Sequence, residues 1–359
     1  MKAAVCRRFG EPLVIEELDL AAPGPGEVKV AIKACAICHS DIFFLDGAWG
    51  GTLPAVYGHE AAGIVEALGE GVSDLKAGDH VVVTLIRSCG HCHYCGRGEE
   101  VLCESEFALD RKGPLTGPDG EAVKQGLRTG AFAEAVVVER SQVAAIPKSI
   151  PFEAASLIAC GGLTGFGAVV NTADVKPGAS VVVIGAGGVG LNSIQAARIV
   201  GAAPLIAIDV LDRKLAAARR FGAGDTVNAR DEEAVARVRE LTHGRGADYV
   251  FVTVGSGAVV DQAFGMLSRG GRLVLVGMPP SGVTATMDPG NIANDSQIVL
   301  GSKMGSSRVK IDVPKLVDLY QRGELLLDEL VSGRYPLERI NEAVASSRSG
   351  TALRNVIVF

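Results

Sequence analysis

The stretch "SVVVIGAGGVGLNSIQAARIVGA", Ser180–Ala202, reads as a buried strand, a glycine-rich turn and a helix in immediate succession. Val181–Ile184 are four consecutive β-branched residues. Gly185, Gly187 and Gly190 then fall in the frame G-x-G-x-x-G. In that frame the first glycine permits a tight turn, the second lets a pyrophosphate approach the backbone, and the third lets helix and strand pack closely. The helix N-terminus offers unpaired N–H groups and partial positive charge to the phosphates. Asp209 ends the next apolar run, nineteen residues beyond Gly190, where a carboxylate would accept hydrogen bonds from ribose hydroxyls. Such a carboxylate repels a 2′-phosphate, so NAD is expected over NADP, although Arg213 and Lys214 lie close by.

The same alternation continues on either side. "PLIAIDVLDRKLAAARRFGA" and "ADYVFVTVG" with "AVVDQAFGMLSRGG" repeat strand then helix, and "RLVLVG" adds a strand. Strands alternating with helices imply an α/β fold with a parallel sheet covered on both faces. Residues 1–150 differ. "EVKVAIKAC", "EAAGIVEAL", "DHVVVTLI" and "AFAEAVVVE" are β-rich runs separated by turn clusters such as "APGPGE" and "KAGD". After about residue 303, "VPKLVDLYQRGEL" and "PLERINEAVASSR" read as helices and "LRNVIVF" as a closing strand, a tail expected to return to the first domain. The expected division is a β-rich domain of residues 1–158 and 303–359, with an inserted nucleotide domain of residues 159–302.

Composition agrees with two globular domains: 359 residues, 48% hydrophobic and 21% charged. The 35 basic and 41 acidic residues are interspersed and give a net charge of −6, so neither nucleic acid nor an anionic membrane surface is an expected partner. The N-terminus shows no apolar core with a cleavage site, and apolar runs such as Val181–Ile184 are short, so no signal peptide and no membrane span are expected. A cytoplasmic, reducing compartment follows as the expectation, and there clustered cysteines more often hold metal than form disulfides.

The chain has eight cysteines, and four of them, Cys89, Cys92, Cys95 and Cys103, are spaced C-x2-C-x2-C-x7-C. Four thiolates on tight turns can close a tetrahedral shell around Zn²⁺, a structural site with no open position. An iron–sulfur cluster is the competing reading of the first three spacings, which the wider last gap disfavours. His91 and His93 inside the loop are expected at the surface. A second donor set is scattered: Cys38 in "ACAICHSD", His59 in "VYGHEAAG" and Cys160 in "LIACGGLTGFGA". Two thiolates and an imidazole suit zinc with a fourth position left for water or substrate, while a buried unliganded Cys160 is the plain alternative.

Cys38, "GHE" at Gly58–Glu60 with Gly63 and Gly69, the four-cysteine loop, "GGLTGFGA" and "GAGGVG" occur in the order found in zinc-containing medium-chain alcohol dehydrogenases. The chain resembles that family over essentially its whole length. The resemblance implies a GroES-like β-rich catalytic domain, an inserted Rossmann domain and an active site in the cleft between them. It implies two Zn²⁺ per chain, the catalytic one held by Cys38, His59 and Cys160, and NAD as hydride acceptor. It further implies that Asp41 orients the histidine ligand, that Glu60 can approach the metal during water exchange, and that Ser40 bonds the substrate oxygen and takes its proton. His39 and Arg354 would face the pyrophosphate, and Thr164, Gly188, Val189, Lys214 and Val276 would complete the cofactor site.

Many members of that family end the proton relay with a histidine five residues after the cysteine ligand, where this chain has Phe43. The last step is then expected to use water directly or His39. Trp49, Leu85 and Phe132 match pocket-lining positions and suggest an apolar slot for a small-molecule alcohol or aldehyde. Polyol and glutathione-dependent formaldehyde dehydrogenases are the alternatives. Cys160 and the pair Trp49 and Phe107 argue against them, and a non-catalytic dinucleotide-binding protein is a remote third reading. "SQIVLGS" as an edge strand and the long segment "LDRKGPLTGPDGEAVKQGLR" suggest a homodimer, with a tetramer as the alternative.

Overall fold

The apolar run Val181–Ile184 is a strand buried along its whole length in the computed structural model, which describes residues 1–359. It lies at the centre of a six-stranded parallel sheet. Leu205–Asp209 and then Asp225–Asn228 pair on one side; Ala247–Val252, Leu267–Leu275 and Ile298–Gly301 follow on the other. Counting strands from Val181, the order is 3-2-1-4-5-6, that of a Rossmann sheet. Parallel strands need crossover helices, and Gly188–Ile199, Asp212–Phe221 and Gly257–Met266 supply them. The core between sheet and helices is aliphatic, with Ile206, Val227, Val238, Val250 and Leu273 fully buried.

This sheet belongs to one of two compact units, Gly162–Ser307. The other consists of Met1–Gly161 and Arg308–Phe359. Cys160 therefore goes with the β-rich unit, a few residues before the division, whereas the expected boundary after residue 158 would have assigned it to the nucleotide domain. The β-rich unit holds a mainly antiparallel sheet in which Glu27–Ala36 pairs with Glu60–Leu68, Ala135–Glu139 and the closing strand Arg354–Val358. The C-terminal strand is thus inserted between Glu27–Ala36, made some three hundred residues earlier in the chain, and the outer strand Val331–Pro336. A second sheet brings in Lys2–Cys6, Val14–Glu17 and Ala122–Gln125, short strands with weak alternation in sequence.

The helical run Phe152–Thr172 was not expected. It spans 21 residues with a mean hydropathy of 1.5, long and apolar enough to cross a membrane, and 89% of that window is buried inside the protein. The expectation that every apolar run is short missed it because "CGGLTGFG" reads as a turn. Those glycines serve packing. At Gly165 a Cβ would stand 2.4 Å from the Val189 carbonyl oxygen and 2.7 Å from the Asn192 Cβ, so the helix–helix approach requires a bare Cα. The run also contains a π-helical segment, Ile158–Gly162, and Cys160 projects from it. Such wide turns interrupt the regular spacing of side chains and occur often at functional positions.

Gly165→Ala is expected to destabilise the protein by about 2 kcal/mol through overpacking. Gly301→Ala, where a Cβ would meet nothing within 4 Å, is expected to change stability little. Thermal and urea unfolding of the two variants checks the difference; equal effects would contradict this account of the glycine.

Candidate metal centre and dinucleotide turn

Strand Glu27–Ala36 ends just before Cys38, which precedes the short helix His39–Leu45. Strand Glu60–Leu68 begins at the residue after His59. The two strands pair, Ala36 opposite Glu60, so their ends place Cys38 and His59 side by side. Cys160 arrives from the π-helical segment of the same unit. The donor atoms of Cys38, His59, Glu60 and Cys160 all lie within 4.8 Å of one another, and all four residues are buried.

Asp41 fastens this cluster. One oxygen accepts from the Cys38 backbone N–H at 3.0 Å; the other accepts from the Gly58 N–H at 3.0 Å and stands 2.9 Å from His59 Nδ1. The Asp41 side chain is completely buried. With Nδ1 bound to the carboxylate, Nε2 is the ring nitrogen turned away from Asp41, and it is buried without a hydrogen-bond partner. A buried ring nitrogen among two sulfurs is the donor a metal ion would satisfy. Glu60 forms a buried ion pair with Arg354 and also accepts from the Gly161 N–H at 3.2 Å. Arg354, expected against a pyrophosphate, pairs with Glu60 in the β-rich unit.

The metal-free electrostatics are those of an ion-binding cage. The Cys38 thiol is held well below its usual range, chiefly by a hydrogen bond with Cys160, against the cost of burial and with help from His59. Burial works against charge on His59, but the charge and hydrogen bond of Asp41, with the Cys38 sulfur, push the imidazole up to about 10. Below that pH the cage holds a proton that a metal must displace.

The four clustered cysteines form the second group, again with all sulfurs within 4.8 Å of one another. Cys92 and Cys103 sulfurs stand 4.0 Å apart, close to the edge of about 3.8 Å expected for a tetrahedron of sulfurs around Zn²⁺. The Ser105 hydroxyl and the His91 backbone N–H hold the Cys89 thiol down at about 5, whereas burial pushes Cys95 up to about 12. Glu100 accepts from the Val309 N–H at 3.3 Å, tying the loop to helix Val309–Gln321. His91 and His93 are exposed and outside the sulfur cluster. All eight cysteines are free thiols.

In the other unit, Gly185 has φ +97° and Gly190 sits so close to it that a Cβ would fall 1.7 Å from the Gly185 carbonyl oxygen. Only glycine fits either place. At Gly187, the residue before helix Gly188–Ile199, a Cβ would meet nothing within 4 Å, which leaves the turn's outer face open. Asp209 accepts from the N–H groups of Ala186, Val210 and Leu211, so strand end and glycine turn are locked together. Thr253 completes the lock by donating to the carbonyls of Ile184 and Gly185, a role with no signal in the sequence. The open turn, the helix N-terminus and the fixed carboxylate fit a dinucleotide. Val189 lies in the helix's first turn, Lys214 is half-buried in helix Asp212–Phe221, Val276 is buried after strand Leu267–Leu275, and Thr164 is buried near Met304. His39 is exposed in the β-rich unit, at the first position of its helix, followed by half-buried Ser40.

The three expected pocket residues differ. Trp49 is half-buried and packs on Phe43 and Phe44, with ring centroids 5.1 and 5.2 Å away. Leu85 is half-buried, while Phe132 is 0% exposed within the β-rich core. Its backbone N–H donates to the Tyr57 carbonyl at 2.8 Å.

Zinc binding to the Cys38, His59 and Cys160 cage is expected to release the His59 proton, so affinity should rise by up to tenfold per pH unit for that proton until about pH 10. Asp41→Asn is expected to weaken zinc at this site by about 10–100-fold. Chelator competition across pH, with calorimetry in buffers of different ionisation enthalpy, reads both; a pH-independent affinity would refute the account.

Residues 24–148 match the alcohol dehydrogenase GroES-like domain family, and residues 188–322 match the zinc-binding dehydrogenase family. The NDMA-dependent alcohol dehydrogenase of Amycolatopsis methanolica is 37% identical over 99% of this chain and 98% of its own. Among solved structures, an alcohol dehydrogenase zinc-binding domain protein from Burkholderia ambifaria is 37% identical with a TM-score of 0.95, covering 100% of this chain and 98% of that one. Benzyl alcohol dehydrogenase from Acinetobacter calcoaceticus is 33% identical with a TM-score of 0.92, covering 100% and 99%. With both domain families matched and identity sustained from end to end, the chain belongs to the zinc-dependent medium-chain alcohol dehydrogenases.

Proposed function

We propose that the protein oxidises a primary alcohol with an aromatic or apolar body, reversibly, with NAD⁺ as hydride acceptor and two zinc ions per chain. The observation that carries this reading is the buried His59 Nε2, left without a partner beside the sulfurs of Cys38 and Cys160. In this proposal Cys38, His59 and Cys160 hold the ion at which the alcohol binds, and the four clustered cysteines hold a structural ion. Zinc bound in the first cage would supply Lewis acidity that lowers the alcohol's pKa. The dinucleotide would supply the hydride acceptor.

The chain's own residues do the rest. Asp41 fixes the His59 ring through Nδ1 and keeps Nε2 turned toward the cage. Arg354 holds Glu60 in its buried pair, so Glu60 stays beside the cage as a reserve carboxylate. Ser40 accepts the hydroxyl proton of the alcohol. Phe43 cannot pass that proton on, so it leaves through exposed His39 or to water. Asp209 receives the ribose hydroxyls, and the turn at Gly185–Gly190 receives the pyrophosphate.

Two observations support an aromatic substrate. Phe43 and Trp49 form an aromatic pair, extended through Phe44 to Tyr57 at 5.5 Å. A relative of 33% identity is a benzyl alcohol dehydrogenase. The A. methanolica relative is NDMA-dependent, which favours one variant of this reading: turnover that needs an added acceptor. We also place a homodimer contact at strand Ile298–Gly301, the edge of the parallel sheet, where Ile298 is 41% exposed.

Native protein is expected to contain two zincs and Cys160→Ser one, with turnover lost and the fold kept; equal metal content in the two would refute the catalytic cage. Benzyl alcohol should exceed ethanol in kcat/KM by about tenfold or more, and NAD⁺ should exceed NADP⁺. Assays with and without NDMA separate free from retained dinucleotide. If His39 carries the proton, His39→Gln shifts the pH profile of turnover; an unchanged profile assigns the step to water.

A further inference from the structure

The β-rich unit contains a cavity of about 350 Å³ that none of the candidate metal ligands lines. Its apolar wall is made by Phe44, Tyr57, Leu109 and Leu127. Its polar wall carries three cations and one anion: Arg87, Lys124, Arg128 and Asp110. The anion is already committed. Asp110 accepts from Arg87 Nη1 at 2.9 Å and from the Phe107 N–H at 3.1 Å. Lys124 and Arg128 are exposed and make no ion pair, so the wall holds two uncompensated positive charges in a chain of net charge −6.

Two further features show a built wall. The Tyr57 side chain is almost wholly buried, at 3% exposure, yet its hydroxyl has no hydrogen-bond partner and faces Gly51 on the cavity lining. The second feature is backbone strain. Leu127 and Arg128 are consecutive non-glycine residues at φ +49° and +60°. They are held there because the Arg128 carbonyl accepts from both the Arg87 guanidinium and the Gln142 amide at 3.1 Å. Strain of this kind persists only when the surroundings over-determine it, and it gathers at ligand clamps.

We infer that this cavity binds a small organic anion, a carboxylate or a phosphate monoester on a flat apolar body. Arg128, Lys124 and the Tyr57 hydroxyl meet the anionic group, and Phe44, Leu109 and Leu127 cover the body. The cavity is joined to the metal cage by short covalent steps. Tyr57 precedes Gly58, which donates to Asp41, and His59; Phe44 shares a helix with Ser40 and Asp41. The anion is either the charged tail of the alcohol being oxidised or a separate effector.

Phenyl phosphate and benzoate serve as probes, titrated calorimetrically into zinc-loaded protein with NAD⁺ in excess, so that anions are not scored at the glycine turn. Saturable binding is expected. The double variant Lys124→Gln/Arg128→Gln should weaken it by about tenfold or more, and Tyr57→Phe by several-fold. Lys112→Gln, exposed and outside the lining, should leave it unchanged. Both altered positions are at the surface, and circular dichroism verifies that the double variant folds. Equal binding by wild type and double variant, or no saturable binding by wild type, overturns the assignment. A probe that raises KM for the alcohol without changing kcat identifies the substrate's own tail; one that changes kcat identifies an effector. Because calorimetry needs no turnover, failure of the proposed alcohol or acceptor would leave this result readable.

Discussion

The Asp41 carboxylate is the constraint on which the β-rich unit's chemistry rests. It is wholly buried and gathers two backbone N–H groups and one imidazole nitrogen from two strand ends. An ionised carboxylate in such a place is tolerable only with those donors in position. The need to satisfy Asp41 therefore fixes Cys38, Gly58 and His59 relative to one another, and the ring orientation follows. What remains is a nitrogen with no partner, facing sulfur. The donors around Asp41 are thus satisfied, while His59 Nε2 is left for a metal.

The Glu60–Arg354 pair is a second layer of the same design. Arg354 lies on the closing strand, paired beside Glu27–Ala36, so the C-terminal segment contributes directly to the cage. Burial pulls the Arg354 guanidinium down from arginine's usual value, offset mainly by the negative character of Cys38 and Asp41. In the other unit, Asp209 plays a comparable part: three backbone N–H groups hold it against the glycine turn. In both units a buried carboxylate ties a strand end to the loop that does the binding.

Much of this was legible in the sequence, for identifiable reasons. The parallel sheet announces itself because strands buried on both faces are continuous apolar runs, as at Val181–Ile184 and Ala247–Val252. The glycine turn is legible because sterics leave no other residue at Gly185 and Gly190. The four-cysteine loop is legible because its spacing is local. The scattered cage was not readable from spacing, since strand pairing and a π-helical segment bring Cys38, His59 and Cys160 together, and those are tertiary facts. The family resemblance supplied that grouping. Helix Phe152–Thr172 was hidden by glycines that serve packing, and Phe132 looked like a lining residue because an aromatic in a β-rich run carries no mark of which way it points. The cavity at Tyr57 and Arg128 rests on two left-handed residues that no sequence motif specifies.

The central claim is that two separate ions bind in the β-rich unit, one enclosed by four sulfurs and one left with an open position by two sulfurs and a nitrogen. Anomalous diffraction at the zinc edge from crystals of the zinc-loaded protein tests it most directly. The account predicts two peaks per chain, one about 2.3 Å from the sulfurs of Cys89, Cys92, Cys95 and Cys103, the other at that distance from Cys38 and Cys160 and about 2.1 Å from His59 Nε2. A map with the four-cysteine peak alone would contradict it.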